Sequence, residues 1–114
     1  MTAVHLVPYV RNGNMVITSG QLAFDENGRI EGDITQQTRN ILRRIETLLA
    51  ECRMRLQDVG KTSVWLVNAE DFTAFNEAYA QAFGDHKPAR STVVSQLTAP
   101  GALIEIEALA WKRD

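Results

Sequence analysis

The ten residues ALIEIEALAW, positions 102–111, constrain this chain's fold more than any other stretch. In a strand, successive side chains point to opposite faces. Ile104, Ile106, Ala108 and Ala110 therefore form one wholly apolar face, suited to lie under helices. Leu103, Glu105, Glu107, Leu109 and Trp111 form the other. Three large apolar residues on that second face predict that it too is covered, and another copy of the chain is the natural cover. Carboxylates in such a seam must be paired, hydrogen-bonded or functional, because a buried carboxylate without a partner is strongly disfavoured.

The rest of the chain supplies the helices. From Asp33 the apolar positions run Ile34, Ile41, Leu42, Ile45, Leu48, Leu49 and Cys52, one face of a helix, with Arg39, Arg43, Arg44 and Glu46 turned away. Asp33 and Gln36 form a capping-box pair at its start. A second helix is predicted over Ala69 to Phe83, with Phe72, Phe75, Tyr79 and Phe83 along one stripe and Gly84 as its stop. VPYVRNGNMVITSGQ predicts a hairpin turning at Asn12-Gly13. A turn at Asn27-Gly28 leads to a short strand near Arg29 to Glu31. KTSVWLVN is apolar on both faces and so central in a sheet. Strands Arg90 to Gln96 and Ala102 to Trp111, joined by LTAPG, complete the order ββ(β)αβαββ. The expectation is a single α+β domain over residues 1–114, with a mostly antiparallel sheet and two helices packed on one face.

Charge narrows the partners. Twelve Lys and Arg against fourteen Asp and Glu give a net charge of −2, where a nucleic-acid binder carries a basic surplus or stripe. The basic pairs Arg43–Arg44, Arg53–Arg55 and Lys112–Arg113 fit solvated helix and terminus charges. Cys52 is the single cysteine and lies on the apolar helix face, an inert core thiol with no internal disulfide to make, which fits a cytoplasmic protein. No apolar run approaches the ~20 residues that span a bilayer. The N-terminal MTAVHLVPYV lacks the basic-then-apolar pattern of a signal peptide. With His5 and His86 the only histidines, no metal site is expected; His86 fits a loop position. No glycine-rich loop joins a strand to a helix, so no nucleotide is indicated. Ser91 and Thr92 lack a recognisable base and are not nucleophile candidates.

Alternation puts Arg90 and Thr92 on one side of their strand. A guanidinium and a hydroxyl then stand near the carboxylate of Glu105 or Glu107. Two readings stay open: a structural ion pair, or a binding and catalytic pair. Phe72, Phe75, Tyr79 and Trp65 fit the core, with Trp65 within reach of a cleft.

ITSGQ, DITQQTRNIL, KTSVWLVNAEDFTAFNEAYAQAFG, PARSTV and ALIEIEALA together resemble the RidA/YjgF family of enamine and imine deaminases, from about Val10 to Trp111. The resemblance implies a chorismate-mutase-like α+β fold. It also implies a homotrimer whose sheets line a central barrel, with three clefts between subunits. It implies hydrolysis of 2-imino acids, formed from enamines such as 2-aminoacrylate, to 2-keto acids and ammonia, without a cofactor. Arg90 matches the arginine that grips the substrate carboxylate. Glu105, fifteen positions later, matches the glutamate that handles the hydrolytic water. Thr92 stands where the family has Cys or Thr, and Ser19, Gly20 and Asn76 match cleft residues. Tyr9 is the candidate for a cleft-closing tyrosine; aligning on VRNGN instead puts Leu6 there. Arg53 replaces a helix-ending glycine. Two other functions accompany the resemblance: a regulatory trimer that binds a small keto or imino acid without turnover, and an RNA-cleaving translation inhibitor. The acidic balance weighs against the last.

The residue types suit imine hydrolysis. Arginine stays cationic and offers a planar pair of donors that match a carboxylate. A glutamate can take a proton from the attacking water and return one to the departing nitrogen, an acid–base contribution of ~10²–10⁴-fold.

Overall fold

Asp33 starts the first helix as its sequence pattern requires. Its carboxylate accepts the Gln36 amide at 2.9 Å, and the Gln36 side chain accepts the Asp33 N–H at 2.9 Å. The computed structural model describes residues 4–112; the first three residues of the N-terminal segment and Arg113 of the basic pair lie outside them. Helix α1 runs Ile34–Glu51 and buries Ile34, Ile41, Leu42, Ile45 and Leu49. It ends in a Schellman pattern: Arg53 N–H donates to the Ala50 carbonyl at 3.0 Å and Met54 N–H to that of Leu49 at 2.9 Å. Arg53, at φ +61°, takes the left-handed position that glycine usually fills.

The strands are β1 (Tyr9–Asn12), β2 (Met15–Thr18), β3 (Val59–Leu66), β4 (Ala89–Val94) and β5 (Ile104–Trp111). Helix α2 is Phe72–Phe83, preceded by a separate 3-10 turn at Ala69–Asp71, so the predicted helix begins one turn late. The sheet order is β1-β2-β5-β3-β4, antiparallel throughout except for the β3–β4 pair, which α2 connects as a parallel crossover. Both helices pack on one face. The expected face of Ile104, Ile106, Ala108 and Ala110 is buried there with Val16, Val64, Leu66 and the apolar stripes of the helices.

Two local expectations are corrected. The first hairpin turns at Gly13-Asn14, one residue later than predicted: Asn12 pairs with Met15, and Gly13 alone has positive φ, the pattern of a type II′ turn. The strand expected at Arg29 to Glu31 reduces to a single Phe24–Ile30 bridge. There the Asp25 carboxylate takes the N–H groups of Asn27 and Arg29, each at 2.9 Å, and the turn displaces the ladder.

Gln37 fixes where β5 begins. Its amide nitrogen donates to the carbonyls of Gly32 (3.0 Å) and Gly101 (3.1 Å), and its oxygen accepts the Leu103 N–H at 2.9 Å. This buried amide ties the loop before β5 to α1 and so sets the position of Glu105. Among the described residues, no helix is long and apolar enough to cross a membrane.

A candidate active site in two halves

One half belongs to β4 and α2. In the parallel β3–β4 register Arg90 lies opposite Thr62, which is buried under α2 with its hydroxyl 2.7 Å from that of Tyr79. Arg90 therefore projects on the helix side of the sheet. Its guanidinium carbon sits over the rings of Phe72, Phe75 and Tyr79, 5.7, 5.1 and 4.9 Å from their centroids. Nη1 donates to the Asn76 side-chain oxygen at 2.9 Å. An aromatic bed and one amide thus hold the fork, leaving other N–H donors for a ligand. Burial pushes the Tyr79 phenol up, against the lowering effects of the Thr62 hydrogen bond and the Arg90 charge. Thr92 follows on the same face, half-buried and opposite Val64.

The other half belongs to β5 and the chain leaving β2. The Thr18 hydroxyl accepts the Ala108 N–H at 3.0 Å. Gln21 then rejoins β5 through bonds to Ile106 of 2.7 and 3.2 Å. Between the Ile17–Leu109 and Gln21–Ile106 pairs, the β2 side has one residue more than β5, a bulge that carries Ser19 and Gly20. A Cβ on Gly20 would overlap the Glu105 carboxylate, whose Cδ would be 2.9 Å away. Glycine leaves open the space that the carboxylate fills. Ser19 donates its N–H to the Pro8 carbonyl at 2.9 Å and its hydroxyl to that of Val7. Burial first, and the neighbouring charge of Glu107 second, raise the Glu105 carboxyl above its usual range.

The halves face opposite ways. Glu105 alternates with Ile104 and Ile106, whose side chains lie in the core beneath the helices, so it projects on the outer face. The ion pair considered between Arg90 and Glu105 or Glu107 does not form within one chain; Arg90 bonds Asn76 instead. Tyr9 belongs to neither half. Opposite Thr18 in the hairpin register, it points to the helix side and donates its hydroxyl to Glu51 at 3.2 Å. Hydrogen bonding with Cys52 and then Glu51 raises its phenol. Leu6 is exposed. Trp65 is opposite Glu105 across β3–β5, half-buried on the outer face rather than in the core. His86 donates from Nε2 to the Val59 carbonyl at 2.6 Å, a packing role. The bed of Phe72, Phe75 and Tyr79 beneath Arg90 was not anticipated. Its signal was the 72, 75, 79 spacing, which also puts Asn76 one turn before Tyr79–Ala80, at the edge of the stripe. Among the described residues, no three His, Cys, Asp or Glu side chains cluster as metal ligands would.

Comparison with known proteins bears on the family and the fold. The family model described as endoribonuclease L-PSP matches residues 1–112. A RutC family protein of Pyrococcus abyssi is 39% identical over 90% of this chain and 83% of its own. The 3-aminoacrylate deaminase RutC of Acinetobacter baylyi is 38% identical over 91% and 84%. The 2-iminobutanoate/2-iminopropanoate deaminase of Escherichia coli is 34% identical over 93% and 88%. Among solved structures, the E. coli YjgF gene product superposes with a TM-score of 0.90 at 33% identity, covering 97% of this chain and 91% of that one. E. coli TdcF with bound serine gives 0.91 at 30% identity, covering 98% and 91%. With the fold and both half-sites in place, the chain belongs to the endoribonuclease L-PSP family, the RidA/YjgF family that its motifs resemble.

Proposed function

We propose that the chain hydrolyses 2-imino acids, and the enamines in equilibrium with them, to 2-keto acids and ammonia. The site combines Arg90, Asn76 and Thr92 of one copy with Glu105, Ser19 and Gly20 of the next, in a homotrimer. The observation that carries this reading is the division of the site: a held guanidinium fork on one face and a carboxyl of raised pKa on the other. A second copy is what completes it. Met15, Ile17 and Val93 leave large apolar surface on the outer face beside Trp65, Leu109 and Trp111, which supports covering by another chain.

In this reading Arg90 grips the substrate carboxylate bidentately and fixes the imine carbon. Glu105 accepts a proton from water as it adds to the carbon of the protonated imine, forming a neutral carbinolamine. It returns that proton to nitrogen; the C–N bond then breaks as the hydroxyl oxygen forms the C=O bond and gives its proton to the carboxylate, releasing ammonia and the keto acid. A carboxyl raised by burial is better matched to both steps near neutrality than an ordinary one. Ammonia release from 2-iminobutanoate, wild type against Arg90→Ala, tests the proposal. Equal rates would end it.

The second reading, binding of a small keto or imino acid without turnover, is favoured by one observation. Tyr9, the candidate for closing the cleft, is engaged with Glu51 away from both halves. Under that reading Arg90→Ala loses ligand binding, and neither protein accelerates ammonia release.

A further inference from the structure

Beside Arg90 lies a pocket of about 390 Å³ between the C-terminal half of α2 and the segment that leads into β4. Tyr79, Ala80, Phe83 and Pro88 supply its apolar walls, with Asn76 and Arg90 also lining it. Lys87 lines it as well, and no Asp or Glu does. Tyr79 and Phe83 pack against each other in the core as a tilted pair, 4.7 Å between centroids and 42° between planes, which fixes this wall. A cavity of ~150 Å³ is enough to hold benzene. The methyl or ethyl group of the smallest 2-imino acids would leave most of this space to water. We infer that the pocket takes the substrate side chain, and that the preferred substrates are 2-imino acids bearing an aromatic or similarly bulky apolar group.

This inference rests on Arg90 as the carboxylate clamp of the proposed site. Arg90 is common to the fork and to the pocket, so an acid held by its carboxylate has its side chain directed at the apolar walls. The absence of acidic lining removes any charge that would repel such a ligand. Ala80 is exposed and lies on α2, where leucine is nearly as good a helix former. Ala80→Leu therefore puts bulk into the pocket while leaving Arg90 and Asn76 themselves unsubstituted.

The test is calorimetric binding of two 2-keto acids, which need no turnover: phenylpyruvate and 2-oxobutanoate. Wild type should bind phenylpyruvate about tenfold or more tightly than 2-oxobutanoate, as expected for burying a ring. Ala80→Leu should bring the ratio close to one. A wild-type ratio near one, a ratio unmoved by Ala80→Leu, or no binding of either acid overturns the inference. Should Ala80→Leu unfold, amide shifts of Ala80 and Gly84 in the wild type decide it: they should move with phenylpyruvate and not with 2-oxobutanoate, and the converse overturns it. An intact binding preference without ammonia release would defeat the deaminase reading and leave the pocket assignment standing.

Discussion

Arg90 and Glu105 stand on opposite faces of one sheet, Arg90 over the rings of α2 and Glu105 beneath the Ser19–Gly20 bulge. A site that needs both must draw them from two copies. Arg90→Ala and Glu105→Ala chains, each inactive alone, should then complement when co-assembled. In the proposed homotrimer, random mixing would leave about a quarter of the clefts pairing an intact arginine with an intact glutamate. Recovery of roughly that fraction of wild-type ammonia release supports the shared site. A mixture no more active than its parents shows that each chain works by itself.

Arg90→Lys keeps the charge and loses the planar fork and its stacking on Phe72, Phe75 and Tyr79. One charge-assisted hydrogen bond is worth about 1.5–3 kcal/mol. The variant's kcat/KM for 2-iminobutanoate should fall about 10–100-fold, with the loss largely in KM. Kinetics close to wild type would mean that the arginine supplies charge alone.

Gly20→Ala puts a methyl group where the Glu105 carboxylate now sits. A carboxylate at the end of a flexible side chain can swing aside, so stability should change little. The displacement of about 1 Å is enough to cost on the order of 10²-fold in rate. Activity lost with an unchanged melting temperature is the expected pair of results. Full activity would place the working carboxylate elsewhere.

Much of this was legible in the residues, and the rest was hidden for definite reasons. The alternation of 102–111 identified the core face of β5, and Asp33 with Gln36 identified the start of α1, because both signals are local. Gly20 and Glu105 could be named from motifs, yet their contact could not, since it depends on a bulge between β2 and β5. The face of Arg90 was ambiguous for a related reason. Alternation fixes that Arg90 and Thr92 share a side, but only the parallel register with β3 shows that this side meets α2. The hairpin slipped by one residue because Asn-Gly and Gly-Asn both suit tight turns, and the strand pairing decided between them.

Arg53 offers a test of the helix end. Its φ of +61° is a conformation that costs a side-chain-bearing residue roughly 1 kcal/mol or more, and glycine adopts it freely. Arg53→Gly should raise the denaturant midpoint by an amount worth about 0.5–1 kcal/mol at unchanged m-value. Arg53→Ala should not, since alanine keeps the strain. Equal midpoints for all three proteins would show that the Schellman bonds at Ala50 and Leu49 absorb it.

The carboxyl pair on β5 predicts a pH dependence. Burial raises Glu105, and Glu107 adds to the shift by like-charge repulsion. In the proposed mechanism the ionised carboxylate is the base, so kcat/KM should fall as pH drops through the Glu105 pKa. Glu107→Gln removes the repelling charge and should move that acid limb to lower pH. Folding carries the opposite sign. A carboxyl whose folded pKa exceeds its unfolded value contributes most to stability below the unfolded pKa, and that contribution is lost as pH rises through the folded one. Wild type should therefore lose stability across that window relative to Glu105→Gln, whose neutral amide does not titrate. Rate profiles of wild type and Glu107→Gln, with melting curves of Glu105→Gln across the same pH range, check both halves. An acid limb unmoved in Glu107→Gln would mean that a different group carries the proton.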